Sequence, residues 1–189
     1  TNFNSISITV AGTLTPGTTL NIGGNFSNDG SFVSGAGIVV FNGGISTLSG
    51  ATMSTTDFNN VTVNTGATLV PASNFILNGN LVLNGSFTAG AGTITFDGTT
   101  TPSGTNINTT IFNHVVITTG SSLTAPTTLN VSGDLTIDGT YLAGTLRTIV
   151  FSGNTLMSGA LINSTNFYSI AINPGATVTV PAQLNIQGD

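Results

Sequence analysis

The sequence predicts an all-β fold: a parallel β-solenoid, wound right-handed in three-sided coils. Three observations predict it. The chain repeats itself about every 55 residues, its apolar residues alternate with period two in runs of three or four, and Gly, Asn, Asp or Pro punctuate those runs every five to eight residues. No window carries helical spacing with caps, and the helix formers Glu and Lys are absent.

The repeat is set by Phe3-Asn4-Ser5-Ile6-Ser7-Ile8, which returns at Phe58-Asn59-Asn60-Val61, at Phe112-Asn113-His114-Val115 and at Phe167-Tyr168-Ser169-Ile170. Pro16, Pro71, Pro126 and Pro181 keep an unbroken 55-residue spacing. The chain is therefore read as a single array with repeats 1–56, 57–110, 111–165 and a partial 166–189.

About nine candidate strands fall in each repeat. In the second they centre near Thr62, Leu69, Ile76, Val82, Phe87, Thr95, Pro102, Ile107 and Asn113. Steps this short do not suit a sandwich, whose strands average about five or six residues before any loop is added. Nine strands divide into three coils of roughly 18 residues, stacked at about 4.8 Å, and the array becomes about ten coils in a rod on the order of 50 Å long. Right-handed winding follows the general rule for parallel crossovers. The rival is a row of antiparallel modules joined by Asn-Gly hairpins.

Large apolar residues recur in the same slots and form the predicted core ladder. One slot holds Phe3, Phe58, Phe112 and Phe167, another Phe41, Phe96 and Phe151, and a third Phe32, Phe87 and Tyr141. Stacked copies are expected to align these rings. The Asn-Gly and Asp-Gly pairs at 29, 42, 78, 84, 97 and 138 are expected to make tight turns through positive φ.

The order Phe-Asn-x-Val-x-Val, Gly-Asn-Leu-x-Leu-Asn-Gly-Ser-Phe and Gly-x-Gly-Thr-Ile-Thr-Phe-Asp-Gly runs clearest from Phe58 to Gly98. It resembles the tandem repeats of large secreted bacterial surface proteins, similar in style to β-helical haemagglutinin and autotransporter-passenger repeats. That resemblance covers the whole chain and implies a parallel solenoid with adhesive or structural duty. It brings no catalytic residues.

Composition narrows function by exclusion. Charged residues are 4% of the chain, with Arg147 the sole cation and Asp29, Asp57, Asp97, Asp134, Asp138 and Asp189 the acids. One arginine cannot build the basic stripe that nucleic acid or an anionic membrane requires. No run of about 18 apolar residues encodes a spanning helix, and no cysteine is present for disulfides, thiol catalysis or zinc-thiolate sites. A surface of Thr, Ser, Asn and Gly gives little repulsion between copies and favours association.

Candidate chemistry reads as structure. The counterparts of Asp29, Asp97, Asp134 and Asp138 in other repeats are asparagines such as Asn25, Asn42, Asn80 and Asn84, a swap that removes charge and keeps the turn. His114 shares its slot with Ser5 and Asn60, and Arg147 lies in a one-residue insertion before Ile149. The expectation is no enzyme, no metal and no cofactor. A polysaccharide-acting enzyme using Asp134 and Asp138, and an ice-binding threonine array from Thr13-Leu14-Thr15 and Thr177-Val178-Thr179, are the weaker alternatives. Sequons at Asn25, Asn60, Asn84, Asn108, Asn130 and Asn163 are candidate glycosylation sites, with Asn84 and Asn130 placed in turns. The chain starts and stops in repeat sequence without a polar cap, so its partners are expected to be copies of itself stacked head to tail, or adjoining repeats of a longer chain. The expected role is an extracellular filament or stalk subunit. The alternative is a segment of a cell-surface adhesin that binds glycans or a partner.

Overall fold

The computed structural model describes residues 2–188. Short strands, numbered in chain order, fall into eight recurring slots per repeat. The first slot holds β1 (Asn2–Phe3), β9 (Asp57–Phe58), β17 (Ile111–Phe112) and β25 (Asn166–Phe167). The second holds β2 (Ile6–Ile8), β10 (Asn60–Val63), β18 (His114–Ile117) and β26 (Ser169–Ile172). The third is β3 (Thr13–Leu14), β11 (Thr68–Pro71), β19 (Ser122–Thr124) and β27 (Thr177–Thr179); the fourth is β4 (Thr19–Ile22), β12 (Phe75–Leu77), β20 (Thr128–Val131) and β28 (Asn185–Ile186).

The remaining four slots are filled in the three full repeats. They are β5 (Phe26–Asn28), β13 (Leu81–Leu83) and β21 (Leu135–Ile137), then β6 (Ser31–Phe32), β14 (Ser86–Phe87) and β22 (Thr140–Leu142). Next come β7 (Ile38–Phe41), β15 (Thr93–Phe96) and β23 (Thr148–Phe151). The last slot is β8 (Ile45–Ser49), β16 (Thr99–Thr100) and β24 (Asn154–Ser158).

One rule governs the pairing: every ladder is parallel, and each strand pairs with the third strand before or after it. The series β1-β4-β7-β10-β13 and β9-β12-β15-β18-β21-β24-β27 are two of the resulting faces. Three strands therefore close one coil. Coil length varies, because Thr13 pairs with Ser31 while Thr99 pairs with Ser122. The stack makes about 9 turns, a rod about 43 Å long at the strand spacing of a sheet. Along each strand alternate residues point inward, as in Val61 and Val63 or Phe75 and Leu77, and their side chains fill one continuous core.

Two sequence expectations change here. A repeat holds eight strands rather than nine, because the stretch around Ile107 is a turn. Its equivalents are single 3₁₀ turns at Met53–Thr55 and Ile162–Ser164. Each begins at a glycine of positive φ, 114° at Gly50, 108° at Gly104 and 116° at Gly159. Each closes with a threonine hydroxyl donating back four residues, Thr56 to Thr52, Thr110 to Asn106 and Thr165 to Leu161. Met53, Ile107 and Ile162 plug the core from these turns, all at most 4% exposed.

The second change follows from the first. Eight strands on a three-strand coil make two and two-thirds coils per repeat, so equivalent residues do not stack. The second slot shares a face with β5 and β8 in the first repeat, with β7 and β13 in the second, and with β15 and β21 in the third. Each repeat thus moves every slot round by one face. The phenylalanine slots interleave instead of forming separate ladders. Phe32 meets Phe58 at 5.4 Å between ring centroids, Phe87 meets Phe112 at 5.3 Å and Tyr141 meets Phe167 at 5.5 Å. The sixth strand of one repeat always covers the first strand of the next. Phe58, Phe112 and Phe167 are buried, as are Phe41, Phe96, Phe151 and Tyr141; Phe32 and Phe87 are half-buried, and Phe3 is 42% exposed.

The glycines of the Asn-Gly and Asp-Gly pairs also serve a purpose other than the one expected. Gly30, Gly85 and Gly139 have no positive φ. A Cβ there would stand 2.2–2.4 Å from a carbonyl oxygen of the coil below. They are glycine so that corners can stack closely. Positive φ instead occupies the corner after the second slot, at Gly66, Gly120 and Gly175, and at Ala11 in the first repeat.

Candidate functional site

The corner side chains are the first candidates, and their geometry is that of coil-to-coil fasteners. In one corner slot Asn25, Asn80 and Asp134 each use Oδ1 to accept the backbone N–H of the next coil, from Thr47, Thr101 and Leu156 at 3.0, 3.1 and 2.9 Å. In another, Asp29, Asn84 and Asp138 accept from Ala51, Thr105 and Ala160 at 2.7, 3.3 and 2.7 Å. The acceptor oxygen is common to Asp and Asn, which explains why the two exchange between repeats. The Oδ1 atoms of Asp134 and Asp138 are both engaged in this way.

His114 follows the same logic. Its Nδ1 accepts the Asp134 N–H at 2.9 Å, as Asn60 Oδ1 accepts from Asn80 at 2.8 Å and Ser5 Oγ from Asn25 at 3.0 Å. Acceptance at Nδ1 places the ring proton on Nε2. The Asp134 carboxylate lies 3.4 Å away. A small cleft opens beside His114, walled by Pro71, Phe75, Phe87 and Phe112, and no second titratable group lines it. Among the described residues no three His, Cys, Asp or Glu side chains gather to hold a metal. Asp189 lies outside the described residues.

Asp57 has a perturbed titration. Burial pushes its pKa up from the ordinary 3.8, Asp97 pushes it further, and a hydrogen bond with Asn78 opposes both. Asp97 in turn accepts from the Thr118 hydroxyl.

The sequon asparagines divide by which side-chain atom bonds the neighbouring coil. Asn60, Asn84, Asn108 and Asn163 each hold a backbone N–H of the next coil on Oδ1, as Asn25 does. Asn130 lies within β20, not in a turn, and its Nδ2 donates to the Asn108 and Thr110 carbonyls. Asn84 does lie in the turn after β13. The threonine motifs of the third slot land on a different face in each successive repeat, which removes the flat array that ice binding would need.

What the sequence did not announce is a groove that occurs once per repeat. It runs between the sixth strand and the turn that precedes the next repeat. In the first repeat Phe32 faces Thr52, Thr55 and Thr56; in the second Phe87 faces Asn106, Thr109 and Thr110; in the third Tyr141 faces Leu161, Ser164 and Thr165. The third groove extends to Tyr168 and Gln187 and, like the other two, has no Asp or Glu in its lining. The visible signals were the Tyr in a phenylalanine slot and the insertion that carries Arg147. Comparison with family models, with curated proteins and with solved structures finds no match to this chain.

Proposed function

We propose that this chain is a structural element of an extracellular filament or stalk, a rod lengthened by adding coils. The observation that carries the reading is the pairing rule, in which every strand finds its partners three strands away and nothing else is needed to extend the stack. Length then scales with repeat number. The charge-poor surface and the engagement of each corner Asp by a neighbouring coil support it, since both serve stacking rather than chemistry.

The face above the last coil exposes Ile172, Val180 and Ile186, each at 48–54%, beside the open edges of β26, β27 and β28. Strand addition in register would satisfy both. Slots two, three and four elsewhere pair onward with slots five, six and seven, as β2 with β5, β3 with β6 and β4 with β7. Adjoining repeats supply that order. A second copy presenting β1, β2 and β3 would make pairings that occur nowhere within the chain, so extension by adjoining repeats is the better-supported form of the proposal. Electron micrographs of the native protein should show unbranched rods with a coil rise of about 4.8 Å. A population of dispersed particles no longer than the 43 Å stack would overturn it. The recurring groove favours a second reading, a surface adhesin whose rod displays binding sites.

A further inference from the structure

The third groove differs from its two equivalents in ways that converge on one place. Tyr141 replaces Phe32 and Phe87, adding a phenol to a side chain that is only 7% exposed. No side chain or backbone group among the described residues hydrogen-bonds that phenol. The ring is buried while the hydroxyl is not sealed from solvent, so its O–H is free to donate into the groove. The loop from Tyr141 to Phe151 is also one residue longer than those from Phe32 to Phe41 and Phe87 to Phe96. The extra length brings in Leu146 at a φ of 59° and, next to it, Arg147.

Arg147 is the only cation in the chain, and among the described residues its guanidinium has neither an ion-pair nor a hydrogen-bond partner. Its side chain folds back over Gly144 in the groove wall, with Nε 2.9 Å from where a Cβ on that glycine would stand. The charge reaches the Tyr141 phenol, opposing the upward pressure that burial puts on its pKa. The nearest acid along the chain, Asp138, has its Oδ1 held by the Ala160 amide. One unused donor, the Tyr141 phenol, thus lies in the groove lining, a second, on Arg147, lies against Gly144 in its wall, and no acidic side chain lines the groove.

We infer that this groove binds a carboxylate-bearing sugar, the uronate unit of an acidic glycan, with Arg147 and Tyr141 donating to the carboxylate. A planar guanidinium suits a carboxylate, and the phenol supplies a further charge-assisted bond. One cation in a chain of net charge −5 suits a single carboxylate better than a dense polyanion. The side chains of Thr145, Ser164, Asn166 and Gln187 offer hydroxyls and amides along the same wall, and Tyr168 adds a ring, the mixture that sugar hydroxyls and C–H faces require. The groove is open rather than enclosed, which fits a unit within a polymer. This site belongs to the adhesin reading and leaves rod extension untouched, so loss of binding and loss of rods are separate results.

The test is calorimetric titration of the whole protein with triuronides of galacturonate and of glucuronate, with their methyl esters, and with an unrelated tripeptide bearing a free carboxylate. The variants are Tyr141→Phe, which restores the residue of the other two repeats, and Arg147→Gln, with circular dichroism confirming the fold. The expected result is saturable binding of at least one triuronide, weakened about tenfold in each variant, and no binding of esters or tripeptide. The inference is overturned if neither triuronide saturates at millimolar concentration or if both variants bind as tightly as the parent. Equal binding of an ester or of the tripeptide overturns it as well.

Discussion

The four phenylalanines that open the repeats offer a sharp test of how this fold holds together. Phe3, Phe58, Phe112 and Phe167 are the same residue in the same sequence slot, yet their surroundings differ. Phe58 is fully buried and touches three rings, Phe26 at 5.5 Å, Phe32 at 5.4 Å and Phe75 at 6.2 Å. Phe112 and Phe167 are each 1% exposed with one ring partner, and Phe3 is 42% exposed. Truncating a buried phenylalanine costs about 3–5 kcal/mol, and each aromatic pair is worth about 0.5–1.5 kcal/mol beyond its area. Phe58→Ala should therefore fall near the upper end, about 5 kcal/mol, and Phe112→Ala and Phe167→Ala about 3–4 kcal/mol. Phe3→Ala should cost about 1 kcal/mol, since less apolar area leaves water there. Urea denaturation followed by far-ultraviolet circular dichroism gives the totals. Hydrogen exchange resolved along the chain shows whether the loss spreads or stays within neighbouring coils, as nearest-neighbour stacking requires. If Phe3→Ala costs as much as Phe58→Ala, depth in the stack is not what sets the energy and the reasoning fails.

Further outcomes follow from the mismatch of eight strands to three. Deleting residues 57–110 removes a whole repeat and rejoins like slots, so a shorter folded rod is expected by circular dichroism and scattering; deleting 75–92 removes one three-strand coil but sets β15, β16 and β17 on β9, β10 and β11 in place of β12, β13 and β14, and these non-native pairings should lower the urea midpoint. Ser46 Oγ is buried without a partner, whereas its equivalents Thr100 and Thr155 donate to the Gly79 and Gly133 carbonyls at 2.8 Å; Ser46→Thr should stabilise by about 1 kcal/mol in urea titrations. Ala11 sits at a φ of 63° where the other repeats have glycine, so Ala11→Gly should raise the melting temperature by relieving a strain of about 1 kcal/mol. The raised pKa of Asp57 means the folded state binds its proton more readily than the unfolded chain, so stability falls as pH rises from the ordinary carboxylate value through the raised one. Asp57→Asn should flatten that part of the pH–stability curve, and an unchanged slope would count against the assignment.

The sequence by itself determined the strands and their inward faces. Period-two runs such as Val61-Thr62-Val63 and Leu81-Val82-Leu83 declare which residues point in, and the recurrence of bulky residues in matched slots declares a stack, because both are local properties of the chain. The interchange of Asp and Asn likewise pointed to a structural place for the corner carboxylates; that Asp134, Asp29 and Asp138 accept from the Leu156, Ala51 and Ala160 amides is visible only in the structure. The number of residues in a coil was not legible. Ile107 looks like a strand residue in sequence, since a buried aliphatic between polar neighbours fits either a strand or a single helical turn. Only in three dimensions does Gly104 at positive φ, hooked through Asn106 to the Leu83 carbonyl at 2.9 Å, turn that stretch into a plug. One strand fewer per repeat then rotates every later slot by a face. The approach of Arg147 to the wall of the Tyr141 groove was hidden for a similar reason, since the tyrosine and the insertion are visible singly but the longer loop folds back over Gly144 only in three dimensions. Alternation is written residue by residue, whereas coil closure depends on which corner carbonyls a Cβ would strike one turn below, some 20 residues away in sequence. That distance is why the tertiary structure alone decided which residues meet.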